Sequence, residues 1–351
     1  MMRVYFDYNA TAPFRAEAKN AMIEAMDIVG NPSSVHAEGR KSKALVENAR
    51  QEIASAFGAD GADMVFTSGA TEAASLALAG RGLCSSEIEH DAVVAWTAPE
   101  MLVTAGGCVH VTNPASSTLQ LANSETGVVQ ELPEGLAVSD MTQAFGKLPL
   151  SFNWSGSEMA LISAHKLGGP KGVGALVLKR GVEVVAQLRG GGQEMGRRAG
   201  TENVIGAVGF AAAAKAAVKE LSEGTWERIA YLRDLMEEAL AIEAKSTIFI
   251  GKGMNRLPNT SCIATPGWKS ETQVMQMDLS GYAISAGSAC SSGKVRESRV
   301  LRAMGFDETT AVGAVRISLG PKTTEEDVMG FVETWLAHLK KHRNRIVKGA
   351  V

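Results

Sequence analysis

A chain of 351 residues leaves room for about two domains, and 45% apolar with 21% charged residues is the balance of a globular protein with a sizeable core. The net charge of −3, with both signs interspersed, argues against nucleic acid and against a membrane surface as partners. Met1 to Asp7 lacks the apolar core of a secretory signal and the run from Ala211 to Val218 is broken by Lys215, which predicts a cytoplasmic location. Cys84, Cys108, Cys262 and Cys290 are widely spaced without a Cys-x-x-Cys pair, so neither a disulfide framework nor a metal site is expected.

In chain order, apolar strand-like runs alternate with helical patterns, which predicts an α/β fold with a mostly parallel sheet under helices. Beyond Pro13, the spacing of Ala18, Met22, Ala25, Met26 and Val29 predicts a helix stopped by Gly30. Leu45, Ala49, Ile53 and Phe57 mark one face of a second helix, ending at Gly58. A short strand, Met64-Val65-Phe66, then enters Thr67-Ser68-Gly69-Ala70-Thr71-Glu72, the opening of a third helix. That junction suits a phosphate, because unpaired N–H groups at a helix start attract anions, and it equally suits plain capping by Ser68 or Thr71. In Glu89-His90-Asp91, a lone histidine before Ala92-Val93-Val94 is on general grounds more often structural than catalytic.

Two strand ends come next. Leu136-Ala137-Val138 leads into Ser139-Asp140-Met141-Thr142-Gln143, and Met159-Ala160-Leu161-Ile162 leads into Ser163-Ala164-His165-Lys166-Leu167-Gly168-Gly169. Taken alone, the second is ordinary strand-end punctuation. If the two strands are parallel neighbours, Asp140 and Lys166 enter one crevice at their carboxyl ends, where open α/β sheets bind ligands. Gly172 to Leu178 reads as an antiparallel return strand, and Gly190 to Asn203 as a glycine- and arginine-bearing loop. A helical stretch from Asn203 to Ile242, interrupted near Gly224, leads to strands at 247–250 and 260–264, with Cys262 a buried small hydrophobe. Cys290 stands among small residues in Gly287-Ser288-Ala289-Cys290-Ser291-Ser292-Gly293, where an unimportant thiol and a nucleophile are both compatible readings. The chain closes with the strand Ala314 to Gly320, whose Arg316 needs an anion, and a helix with Val328, Phe331, Trp335 and Leu339 inward behind a cap at Thr323-Thr324-Glu325-Glu326.

One cofactor asks for nearly all these parts. Pyridoxal 5'-phosphate bonds a lysine, needs an acid at its ring nitrogen and an anchored phosphate, and its amino-acid substrates need an arginine for their carboxylate.

The chain resembles the cysteine desulfurases, within the fold-type I, class V aminotransferase-like pyridoxal-phosphate enzymes. The motifs are Tyr5-Phe6-Asp7-Tyr8-Asn9-Ala10-Thr11, Asn31-Pro32-Ser33-Ser34-Val35-His36, Phe66 to Glu72, Glu89-His90, Glu125 to Gln130, Thr142-Gln143, Ser163 to Lys166, Gly200-Thr201, Ser288-Ala289-Cys290 and Arg316 to Gly320. The resemblance implies a large cofactor-binding domain at 13–243, with a mixed, mostly parallel sheet flanked by helices. It also implies a smaller α+β domain, 1–12 with 244–351, that carries the cysteine loop. It implies Lys166 as the Schiff-base lysine and proton carrier, Asp140 at the ring nitrogen, Gln143 at the ring hydroxyl and His90 stacked on the ring. Ala70, Thr71, Ser163 and His165 would hold the phosphate, joined by Thr201 of the second subunit of a homodimer. Arg316 would bind the carboxylate of L-cysteine, and Cys290 would take its sulfur as a persulfide for a sulfur-acceptor protein, as in iron–sulfur cluster assembly.

The chain departs from the family pattern at four positions. Ser124 stands where an asparagine is usual beside ring and substrate, Ala74 replaces another asparagine, Met141 a small residue and Arg299 a histidine. The stretches 90–123 and 125–140 are shorter than usual. A different pyridoxal-phosphate lyase, acting on selenocysteine or by β-elimination, and a degenerate paralogue serving as a scaffold are therefore alternative readings. Serine is shorter and lacks the amide donor, so Ser124→Asn is expected to raise turnover of L-cysteine in a steady-state assay; unchanged or lower turnover contradicts this.

Overall fold

The computed structural model describes residues 3–287 and 297–349. Its elements run β1 (Val4–Tyr5), α1 (Ala16–Met26), α2 (Ala37–Ala56), β2 (Asp63–Thr67), α3 (Ala70–Leu78), β3 (Cys84–Ser86), α4 (Asp91–Val94), β4 (Ala98–Met101) and β5 (Ser139–Asp140). They continue with β6 (Met159–Ser163), β7 (Gly174–Leu178), α5 (Val204–Ser222), α6 (Thr225–Glu243), β8 (Ile248–Ile250), β9 (Thr260–Ala264) and α7 (Ser270–Leu279). The last are β10 (Tyr282–Ala283), β11 (Ser285–Ala286), α8 (Arg299–Ala303), α9 (Glu308–Val312), β12 (Ala314–Ser318) and α10 (Glu325–Gly349).

The sheet that carries the site has the order β2-β7-β6-β5. β5 is parallel to β6, with Asp140 opposite Leu161, and parallel bridges continue outward from Val138 to Thr118 and from Ser117 to Cys84. β7 returns antiparallel between β6 and β2, as the run Gly172 to Leu178 predicts. Successive side chains alternate between the two faces. Phe66, Ala160, Ile162, Ala175 and Val177 meet Ile53, Phe57 and Phe210 in the core under α1, α2 and α5. Val65, Leu161, Leu176 and Leu178 meet Leu76, Leu78 and Val93 on the side of α3 and α4. Both faces are covered, which is why these strands read as unbroken apolar runs.

A second sheet, β11-β12-β9-β8, is antiparallel throughout. Val315 and Ile317 pack with Trp226, Met236, Phe331 and Trp335 in a second core beneath α6 and α10, and Cys262 is buried with Leu301 and Met304 behind it. The helical stretch after Asn203 breaks at Gly224, whose left-handed backbone (φ 76°) separates α5, packed on the first core, from α6, packed on the second. β1 lies parallel on β10 and Asp7 bridges Ser318, so the first residues cross the second sheet before reaching the cleft between the cores. α10 opens on a reciprocal cap: Thr324 N–H donates to Asp327 Oδ2 and Asp327 N–H to Thr324 Oγ1. Val328, Phe331, Trp335 and Leu339 are its buried face, as the spacing predicts. No helix among the described residues is long and apolar enough to cross a membrane.

The expected face of α1 needs correction. Ala18 and Ala25 are buried, but Met26 and Val29 are 58% and 79% exposed and the helix ends at Met26. Met22 packs so closely on Gly209 of α5 that a Cβ there would lie 2.7 Å from its side chain. Small residues set that contact, and the larger apolar ones fall outside it. At the centre of the first core, the Phe57 ring is fully buried, edge-on to Phe145 at 4.7 Å and stacked on Phe152 at 6.0 Å. Phe57→Ala is expected to cost about 3–5 kcal/mol in urea unfolding; a loss below about 1 kcal/mol contradicts this packing.

Candidate functional site

β6 ends at Ser163 and the chain makes one tight turn, Ala164–Leu167, before Gly168 takes a left-handed conformation (φ 79°). A Cβ at Gly168 would strike Pro13 O at 2.7 Å, so glycine is required for the turn that presents Lys166. Lys166 Nζ donates to the backbone oxygens of Asn9 (2.6 Å) and Ala10 (2.9 Å). Asp140, at the end of the neighbouring parallel strand, has its Oδ1 fixed by the N–H of Thr142 at 2.9 Å. Both residues line one cavity of about 620 Å³, together with Ala70, Thr71, His90, Ser124, Gln143, Ser163, His165 and Arg316. That volume is ordinary for a cofactor site.

At one end of the cavity, α3 begins on Gly69, which brings no side-chain cap. Neither Ser68 nor Thr71 caps the helix. Ser68 instead donates its own N–H to Glu72 Oε2, which Arg198 also holds through Oε1. The first-turn N–H groups, the helix dipole and Lys171 therefore face the cavity as an anion cup. Burial, with Lys166 and Lys171 nearby, pushes the His165 imidazole down to about 4, so it is neutral there at neutral pH and shares a hydrogen bond with Thr11 Oγ1 at 3.2 Å. His90 caps α4, its Nδ1 accepting the N–H of Ala92 at 3.1 Å. That bond requires an unprotonated Nδ1 and so places the ring proton on Nε2.

Arg316 is buried; its Nη2 donates to Asp7 Oδ1 at 2.7 Å and its Nη1 to Ser124 O at 3.1 Å, while its buried Nε has no partner among the described residues. Ser124 thus serves Arg316 through its backbone, and its side chain lines the cavity. The other departures also have places. Ala74 makes part of the cavity wall, Met141 is buried in the first core, and Arg299 Nη2 donates to Glu89 O and Asp91 Oδ1, both at 2.8 Å, tying α8 to the segment that bears His90. Thr201 of this chain lies elsewhere, in a separate cavity of about 120 Å³ that shares Ser68 and Gly172 with the main one. Cys290 falls outside the described residues. Just before that segment, Gly287 lies against Glu125; a Cβ would come within 2.3 Å of Glu125 Oε1.

These residues fit pyridoxal phosphate. An acid and a lysine enter one cavity from adjacent strand ends, and a helix start without a side-chain cap, with a neutral histidine beside it, offers donors to an anion, while the Glu72 carboxylate of its first turn is held by Arg198 and the Ser68 N–H. The chain also matches the family model Aminotransferase class-V over residues 4–106 and 109–331. The chain belongs to that family. A cysteine desulfurase of Cereibacter sphaeroides is 36% identical, with 95% of each chain covered. A NifS-like protein from Rickettsia africae superposes with a TM-score of 0.85 at 29% identity, over 95% of this chain and 98% of that one. SspA in complex with cysteine gives 0.74 at 27%, over 92% and 100%. The cofactor of the family, and of this chain, is pyridoxal 5'-phosphate.

Three buried polar residues at or behind the cavity have hydrogen-bonding roles that no local pattern shows. Asn9 and Lys147 are buried polar groups bonded to each other, and Glu89 is fully buried with Oε1 accepting the N–H of Gln120 at 2.8 Å and Oε2 unpartnered among the described residues. Burial, reinforced by Asp140, pushes the Glu89 carboxyl up to about 8. The folded chain therefore keeps a proton that the unfolded chain releases near 4.5, and stability falls as pH rises from about 4.5 to 8. Glu89→Gln is expected to remove that slope, with a melting temperature above wild type at pH 8.5 and close to it at pH 5. Parallel melting curves at both pH values contradict a neutral Glu89.

Proposed function

We propose that this chain is a cysteine desulfurase, converting L-cysteine to L-alanine and receiving the sulfur as a persulfide on Cys290, for an acceptor protein in iron–sulfur cluster or related sulfur-transfer biosynthesis. The observation that carries this reading is that Lys166, Asp140, Gln143, His90 and Arg316 line one cavity in a chain of this family. When bound, pyridoxal phosphate supplies the electron sink that lets bonds at the substrate's Cα and Cβ break.

The rest falls to the chain's own side chains. Ala70, Thr71, Ser163 and His165 would hold the phosphate at the start of α3, Asp140 would keep a proton on the ring nitrogen, Gln143 would donate to the ring hydroxyl, and His90 would cover the ring face. Arg316 takes the substrate carboxylate in place of part of its contact with Asp7, beside Ser124. Lys166 Nζ, steered by two backbone oxygens, carries the proton at Cα. The Cys290 thiolate attacks the substrate sulfur; the S–S bond forms as the Cβ–S bond breaks, and the electron pair left at Cβ takes up a proton to give alanine. The enzyme acts as a homodimer in the cytoplasm, with Thr201 of the second subunit completing the phosphate site. Residues 13–243 form the cofactor-binding domain, and 1–12 with 244–351 the smaller one.

The test is alanine and sulfide release from L-cysteine by the purified protein with dithiothreitol present, which reduces the Cys290 persulfide back to the thiol and releases its outer sulfur as sulfide. Cys290→Ala is expected to lower alanine formation at least about a hundredfold while leaving the cofactor absorbance intact. Turnover that survives Cys290→Ala identifies a β-eliminating or selenocysteine-type lyase instead, and a protein that takes up no cofactor is a scaffold.

A further inference from the structure

Lys147 is a buried lysine, 3% exposed, that no motif marks. It follows Gln143 by four residues in a helical turn closed by Phe145 N–H to Met141 O and Lys147 N–H to Ala144 O, so the two side chains lie on one side. Its Nζ donates to Gln143 Oε1 and to Asn9 Oδ1, each at 2.9 Å. Both partners are neutral amide oxygens, and among the described residues no carboxylate pairs with it. Burying a lysine on such terms costs stability, and a role in the site would account for its being there.

The purpose follows from hydrogen-bond polarity. A glutamine amide has an accepting end and a donating end, nearly the same in shape, and only its partners decide which faces where. Lysine nitrogen, charged or neutral, has hydrogens to give to both oxygens. We propose that Lys147 is a positioning residue that holds Gln143 by its oxygen and so presents the donating Nε2 to the cofactor cavity. Nε2 carries two hydrogens: one goes to Asn9 O at 2.9 Å, and the other is left for an acceptor in the cavity that Gln143 lines. Asn9 is oriented by the same lysine. With Oδ1 taken by Lys147 and by Asn259 Nδ2, its own Nδ2 donates to Ser124 O and Thr260 Oγ1, and Ser124 O is also where Arg316 is held. The buried lysine thus sets the polarity of a network reaching both the cofactor side and the substrate side of the site. This inference rests on the cofactor assignment and not on the sulfur-transfer reading, so its test uses cofactor binding alone.

The experiment is a double-mutant cycle on apoprotein titrated with pyridoxal phosphate, following the dissociation constant and the absorbance maximum. Lys147→Met removes the donor and is expected to weaken binding about tenfold, the size of one hydrogen bond, and to move the maximum. In a Gln143→Ala background the same change is expected to be less than about twofold, with no further move of the maximum. Equal losses in both backgrounds, or none in either, overturn the proposal. Gln143→Glu gives an independent check should Lys147→Met not fold, because a carboxylate can keep Lys147 as an ion-pair partner. With Oε1 at Lys147, the change removes the cavity-facing donor, and the donor to Asn9 O with it, and weakens binding at least about tenfold in a protein that still unfolds cooperatively. Unchanged binding in Gln143→Glu means the amide was reversed, and overturns the proposal.

Discussion

Asn9 is 1% exposed and every polar atom it has is engaged, with partners drawn from the whole length of the chain. Its N–H donates to Ser318 Oγ, its backbone oxygen accepts from Lys166 and Gln143, its Oδ1 accepts from Lys147 and Asn259, and its Nδ2 donates to Ser124 O and Thr260 Oγ1. The constraint behind this pattern is that a buried amide left unpaired costs as much as the bonds it forgoes. Satisfying one asparagine therefore fixes two residues at the carboxyl ends of the first sheet, two in β9 and β12 of the second, and the loop between. The cleft between the cores is shaped by that requirement as much as by apolar packing.

The same low-dielectric setting limits which charges the site keeps. Glu89 holds its proton, burial pushes Glu125 up to about 7, and His165 stays neutral. Arg316 is ion-paired with Asp7. A cavity with a cationic arginine, a basic lysine end and an uncapped helix start, lined by few ionised acids, favours a ligand that carries anionic groups at both ends. A phosphate-bearing cofactor joined to an amino acid is such a ligand.

Much of this was legible in the sequence, because its signals are local. Strand ends followed by Ser-Asp and Ser-Ala-His-Lys mark where side chains leave a sheet, and the glycines after Lys166 mark the turn that presents it. The inner face of α10 followed from spacing alone. The misreading of α1 arose where a long-range contact overrides local pattern, and the choice left open at α3 was decided by a residue one turn on. Met26 and Val29 repeat at helical spacing yet lie outside the contact that Met22 makes with Gly209. Ser68 and Thr71 look like caps, but Glu72 takes the N–H of Ser68 and leaves the helix start open. Lys147, Asn9 and Glu89 could not be ranked, since their partners lie up to about 300 residues away and nothing in a run of neighbours encodes such a bond.

Everything assigned to this site turns on Lys166 being the lysine that bonds the cofactor, with Lys147 and Lys171 close by as the alternatives. Borohydride trapping of the protein loaded with pyridoxal phosphate, followed by peptide mass spectrometry, tests it directly. The account predicts the reduced pyridoxyl tag on the peptide containing Lys166, and its disappearance in Lys166→Ala. A tag on Lys147 or Lys171, or one that persists in Lys166→Ala, contradicts it.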